Sequence, residues 1–143
     1  MKSKSLVILL TVLVLFGCKK DLDLTSNEYF GIKTFLKSEN AKTKCGKKAK
    51  CEGKTIKLKG ILDANNINKE TSEFWLIDEK KDKYSIMVSV DTLIKTVVFD
   101  KLKGKGGLVF KVEGIVEGFD KNTNFSCDRD FIIKLDDDSK VFQ

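Results

Sequence analysis

Two stretches of this chain carry the same pattern. Ile56-Lys57-Leu58-Lys59-Gly60-Ile61-Leu62 and Phe110-Lys111-Val112-Glu113-Gly114-Ile115-Val116 agree position for position in type: apolar, Lys, apolar, charged, Gly, Ile, apolar. Alternation with a period of two is the signature of a half-buried β-strand. In both stretches the glycine falls on the inward parity, and a glycine inside a strand marks a bend, a bulge or a close backbone approach. Two copies do not make a repeat architecture. They read as two strands bent at the same kind of place, as a small closed sheet needs where it turns a corner.

Three further segments have the same period. Phe74 to Asp78 forms one, with Trp75 beside Phe74 and Leu76. Tyr84, Ile86, Val88 and Val90 share one face of the next, opposite Ser85, Met87 and Ser89. Phe131, Ile133 and Leu135 alternate with Asp130, Ile132 and Lys134 in the last, which Asp136-Asp137-Asp138 ends. Residues 63–72 read as a polar loop, Glu79-Lys80-Lys81-Asp82 as a tight charged turn and residues 118–124 as a polar turn. Between the third and fourth strands, Leu93, Ile94, Val97, Val98 and Leu102 fall on one helical face, with Asp91 as a cap and Gly104 and Gly106-Gly107 as stops. The β-branched run Val97-Val98-Phe99 also suits a strand. Upstream, Thr25-Ser26-Asn27-Glu28 has capping-box spacing, and Tyr29, Ile32, Phe35 and Leu36 predict a short helix to about Glu39, against the interruption of Gly31. The expectation is a mostly β domain over residues 27–143. It would be a five-stranded OB-like barrel with a connector helix between strands three and four and a short N-terminal helix. The rival architecture is an open sandwich or a lipocalin-like half barrel.

The segments 53–62 (Gly-Lys-Thr-Ile-Lys-Leu-Lys-Gly-Ile-Leu), 74–78 (Phe-Trp-Leu-Ile-Asp) and 112–118 (Val-Glu-Gly-Ile-Val-Glu-Gly) carry a family resemblance. Over about residues 28–136 the chain resembles small exported bacterial OB-fold lipoproteins of the tRNA-anticodon-domain-like type. The resemblance implies an OB-type barrel. It supplies no catalytic residues and does not establish tRNA binding. The lysine-rich, cysteine-bearing stretch before the first strand departs from that pattern.

The first 17 residues suggest an address. Lys2 and Lys4 precede an uncharged apolar run from Leu6 to Phe16, shorter than the roughly 20 residues a spanning helix needs and suited to a signal h-region. Leu15-Phe16-Gly17-Cys18 resembles the bacterial lipobox, which implies cleavage before Cys18 and acylation of its thiol. An ordinary signal peptide or an N-terminal anchor helix is the alternative. Removing residues 1–17 takes away two lysines and no acid, leaving a net charge of +4 from the full chain's +6. Two or three acyl chains hold a protein to a membrane far more firmly than one. The expected organisation is a signal peptide over 1–17, a lipidated tether over 18–26 and one domain over 27–143. The expected place is the bacterial cell envelope, at the outer membrane on its periplasmic or outer face, since Lys19 follows the cysteine where an inner-membrane retention signal has Asp.

An exported chain meets oxidising conditions, so Cys45, Cys51 and Cys127 allow one disulfide and one leftover thiol in three pairings. The chain contains no histidine, which excludes triads with a His base, His-ligated metals and His pH switches. Three cysteines without a fourth ligand make a poor zinc set, and successive acids such as Asp136-Asp137-Asp138 point to opposite faces of a strand. The expectation is therefore a binding protein with no metal and no cofactor. Lys57, Lys59, Trp75 and Tyr84 are the candidate binding surface, for an unidentified envelope protein, glycan or small ligand. Eight lysines between positions 42 and 59 (42, 44, 47, 48, 50, 54, 57, 59), against Glu52 alone, support a second reading. In that one a polybasic module docks on anionic headgroups. A third is single-stranded nucleic-acid binding by a basic groove with stacking aromatics. It is disfavoured because Arg129 is the sole arginine, and arginine is the favoured reader of bases.

Overall fold

The computed structural model describes residues 21–43, 46–80, 83–121 and 129–143. Its order is β1 (Phe30–Gly31), α1 (Ile32–Leu36), β2 (Thr55–Asn68), β3 (Glu73–Ile77), β4 (Ser85–Val90), α2 (Lys95–Leu102), β5 (Val109–Asp120), β6 (Arg129–Leu135) and β7 (Val141–Phe142), with a 3-10 turn at Asp138–Lys140. The chain is mostly β. Five of the strands close into a ring, β2–β3–β4–β6–β5 and back to β2. All neighbours in the ring are antiparallel except β4 and β6, which run parallel.

The two echoing stretches pair with each other. Leu58 lies opposite Val112, and each glycine faces the first apolar residue of the other copy: Gly60 opposite Phe110, Gly114 opposite Ile56. At each glycine the long strand changes partner. β2 runs beside β5 up to Ile61 and beside β3 from Ile61 on. β5 runs beside β2 up to Ile115 and beside β6 from there. The corner is crowded. A Cβ on Gly60 would lie 2.5 Å from Ile32 Cδ1 and 2.7 Å from the Ile77 carbonyl oxygen, and one on Gly114 would lie 2.5 Å from the Lys134 carbonyl oxygen. The short strands fill the edges that the bends leave open: β1 lies along β2 at Leu58 and Lys59, and β7 along β5 at Lys111 and Val112.

Inward residues of all five strands meet in one core that includes Ile56, Leu58, Phe74, Leu76, Val88, Phe110, Val112 and Ile133. α2 closes it with Val98, Phe99 and Leu102, and Phe99 meets Phe74 edge-on at 6.5 Å. α1 contributes Ile32 and Phe35, the latter edge-on to Phe131 at 6.0 Å.

Several elements differ from the sequence expectation. Residues 63–68 are strand, because β2 continues through a bulge between Leu62 and Ile67 to pair with β3. Residues 118–120 also remain strand, paired to β6, and the segment after Asp137 returns as β7. Residues 95–102 take the helical alternative. Its buried face is Val98, Phe99 and Leu102, while Leu93 is 93% and Val97 49% exposed. Asp91 caps the turn ahead of the helix, accepting from the Leu93 N–H at 2.8 Å. The N-terminal helix has only five residues and forms no capping box. Asp78, 45 positions away, instead accepts from the Lys33 N–H at 2.8 Å, a cap supplied by tertiary structure. Residues 21–26, expected as tether, are seated on the domain. Leu22 and Leu24 pack against the core, and the backbone of Leu22 makes two hydrogen bonds with the Asn40 side chain at 2.7 and 3.3 Å. Lys81 and Asp82 of the charged turn lie outside the described residues.

Gly60→Ala and Gly114→Ala each add a methyl group where a backbone oxygen already stands. Each is expected to lower unfolding stability by about 1–3 kcal/mol, read from urea denaturation. Gly46→Ala makes no new contact but strains a positive φ of 66°, so it separates steric from backbone cost. Corner substitutions no worse than this one remove the steric account of the bends.

Candidate functional site

The outward face of the ring is largely polar, with apolar side chains at Ile61, Ile77, Val109 and Ile115 and along a row on β3, β4 and β6. On β3, β4 and β6 the alternation buries Phe74, Leu76, Ile86, Val88, Phe131 and Ile133, which turns Trp75, Met87 and Ile132 outward. The register sets Trp75 directly opposite Met87, and Met87 opposite Ile132. Three neighbouring strands thus present a continuous apolar strip. The strip floors a groove of about 1000 Å³, walled by Leu36 at the end of α1, by Ala41, Lys42 and Thr43, by Tyr84 before β4 and by Phe119 late in β5.

Tyr84 is held in place by cations. The Lys33 and Lys37 ammonium groups lie 5.6 and 5.2 Å from its ring centroid, within cation–π range. Phe119 is 44% exposed and supplies aromatic surface from the opposite wall. The charged groups at this end are paired: Lys121 with Asp130 at 2.8 Å, Lys42 with Glu39, and Arg129 with Glu52 and Asp120. The groove therefore offers a flat apolar and aromatic floor with ion pairs around its rim. Such a surface suits the face of a ring, or a chain segment with apolar side chains.

The four candidate binding residues do not come together. Trp75 and Tyr84 line the groove, whereas Lys57 and Lys59 are absent from its walls. Lys57 lies on β2 opposite Glu113, 4.0 Å from its carboxylate, and donates to Asn27 Oδ1 at 2.9 Å. Lys59 pairs with Glu79 at 3.3 Å. Sequence reading missed Met87, Ile132 and Phe119. The available signal was parity: Met87 and Ile132 are apolar residues at outward positions of alternating strands. Phe119 lay hidden in a stretch taken for a turn.

At the edge of the groove, Arg129 forks onto Glu52 across 77 positions, its Nη2 2.6 Å from Oε2 and its Nε bonded to Oε1, and also donates to the Gly118 carbonyl at 3.2 Å. The two side chains expose only 11% and 7% of their surface. A Cβ on Gly118 would lie 2.5 Å from Glu52 Cδ, so the glycine leaves room for the fork. Hydrogen bonding from Arg129 holds the Glu52 carboxyl below its ordinary value of 4.5. Next to it, Cys51 is fully buried as a free thiol, and burial raises its pKa to about 11. The other disulfide candidates, Cys45 and Cys127, and the lipidation candidate Cys18 lie outside the described residues. Among the described residues, no helix is long and apolar enough to cross a membrane, and no group of three or more acidic or cysteine side chains is placed to hold a metal ion.

A carboxylate with a lowered folded-state pKa stabilises fully above its unfolded value, and that contribution is lost as pH falls below it. Unfolding midpoints should therefore drop below about pH 4.5, and Glu52→Gln should be less stable than the parent at pH 7 with the difference shrinking toward pH 3. A constant difference would mean that ionisation of Glu52 contributes nothing. Cys51, enclosed and protonated at neutral pH, should resist iodoacetamide in the native protein and react once it is unfolded, as read by peptide mass mapping. Rapid native alkylation would contradict its burial.

No protein-family model matches the chain, and no curated protein is detectably similar to it.

Proposed function

We propose that this chain is a lipoprotein of the bacterial cell envelope, cleaved before Cys18 and acylated there, whose single domain is an OB-like barrel that binds a ligand without catalysis. The strand order supports the barrel. In the ring, the first strand neighbours the second and fourth, the third runs parallel to the fifth, and a helix lies between third and fourth. That is the arrangement expected of a five-stranded Greek-key barrel of this kind. The apolar run ending in Gly17-Cys18 supports the anchor, and the absence of an Asp after Cys18 favours the outer membrane.

The observation that carries the binding reading is the Trp75–Met87–Ile132 strip. Outward positions of a sheet that face only water gain nothing from being apolar. Here three lie side by side, and Tyr84 and Phe119 extend them into a concave site. The ligand presents an apolar or ring face, as an envelope protein segment, a glycan or a small amphiphile does. The one carboxylate among the described lining residues, Asp130, is tied to Lys121, which favours binding over acid–base chemistry. Single-stranded nucleic acid is the weaker reading, because Arg129, the only arginine, is occupied by Glu52 and Asp120.

A photo-crosslinking amino acid placed at Trp75 or at Lys57 in intact cells tests the assignment. The expected result is an adduct of defined mass from position 75 that is absent from position 57 and lost in a Met87→Asp background. An adduct from position 57 alone would move the ligand to the β2–β5 face and overturn the groove assignment.

A further inference from the structure

The start of the described chain is fixed to one surface of the domain. The Leu22 N–H donates to Asn40 Oδ1 at 2.7 Å and its carbonyl accepts from Asn40 Nδ2 at 3.3 Å. Leu22 and Leu24 pack against the core. Asp21 lies 3.3 Å from the Lys50 ammonium. Residue 21 is therefore pinned beside the segment 40–50, and only Lys19 and Lys20 separate it from Cys18. Three residues, even fully extended, span at most about 11 Å. That is close to the Debye length of about 8 Å at physiological ionic strength.

The segment at this exit point is the most basic in the sequence. Positions 39–54 carry lysines at 42, 44, 47, 48, 50 and 54 against Glu39 and Glu52, and Glu52 is engaged by Arg129. Lys47, Lys48, Lys50 and Lys54 are exposed. A basic cluster far out on a long tether would be a solvated surface. One held within a few residues of an acyl anchor meets the bilayer in an intramolecular encounter, where even weak contacts add up.

We infer that the domain is seated directly on its membrane, with Lys47, Lys48, Lys50 and Lys54 facing anionic lipid headgroups. This inference rests on the acylation of Cys18 proposed above and adds an orientation and a partner to it. Ala41–Thr43, which follow Asn40 in sequence, also form one wall of the groove, so the groove opens beside the bilayer and not at the far side of the domain.

The lysines spread over the rest of the surface provide internal controls. The mature acylated protein is placed in vesicles of phosphatidylcholine alone or of phosphatidylcholine mixed with phosphatidylglycerol, and amine acetylation of each lysine is followed by mass spectrometry. On the anionic vesicles, acetylation of Lys47, Lys48 and Lys50 should slow by about fivefold for each lysine's worth of headgroup attraction. Lys69 and Lys103, on other elements, should be unchanged. High salt should restore the rates. Lys47→Gln/Lys48→Gln should stay on both kinds of vesicle while Lys50 regains its faster rate. Equal rates on the two kinds of vesicle, with the protein bound to both, would overturn the seating and leave the anchor standing. Failure to associate with either would overturn both.

Discussion

Steric closeness at two glycines organises this molecule. A sheet of five short strands closes on itself only if its longest strands can leave one neighbour and join another within a residue or two. At Gly60 and Gly114 the backbone makes that transfer with another strand's carbonyl oxygen less than 3 Å from where a Cβ would stand. The two bent strands are also each other's partners, so the corners are coupled across one ladder. The edges exposed by the bends are covered by two-residue strands, and unpaired edges of this kind would otherwise invite association.

Closure has a consequence for chemistry. With every inward position taken by the core, a ligand surface can arise only from outward positions. Trp75, Met87 and Ile132 form a continuous outward strip because the antiparallel β3–β4 and parallel β4–β6 registers bring them into line. A one-residue slip in either register would turn these side chains inward and break the strip. The strip is thus a product of the same pairing that builds the core.

Polar groups that act over long sequence distances position the remaining segments. Asp78 caps a helix 45 positions upstream, and Arg129 joins the start of β6 to Glu52 ahead of β2. Asn40 holds the chain's entry at Leu22. Each is well satisfied: among the described residues, no buried side-chain nitrogen or oxygen lacks a partner. None carries a local sequence signal, because the donors and acceptors belong to elements brought together only on folding.

What could be read from the sequence follows from this division. Period-two alternation and the repeated inward glycine were enough for the five main strands, the bends in two of them and most core residues, since side-chain parity is a local property. The helix between strands three and four was legible in position and in part of its face: Val98 and Leu102 are buried as expected, but Phe99, and not Val97, joins them against the core. The extensions of β2 past Leu62 and of β5 past Glu117 were not legible, because their residues carry no apolar alternation and are held by pairing across the sheet. Trp75 and Tyr84 could be singled out as aromatic, but their separation from Lys57 and Lys59 follows from ring closure. Residue order by itself determined an alternating, histidine-free, lysine-rich chain. Tertiary structure decided which outward side chains share a surface and where the chain enters the domain, because both depend on contacts between residues far apart in sequence.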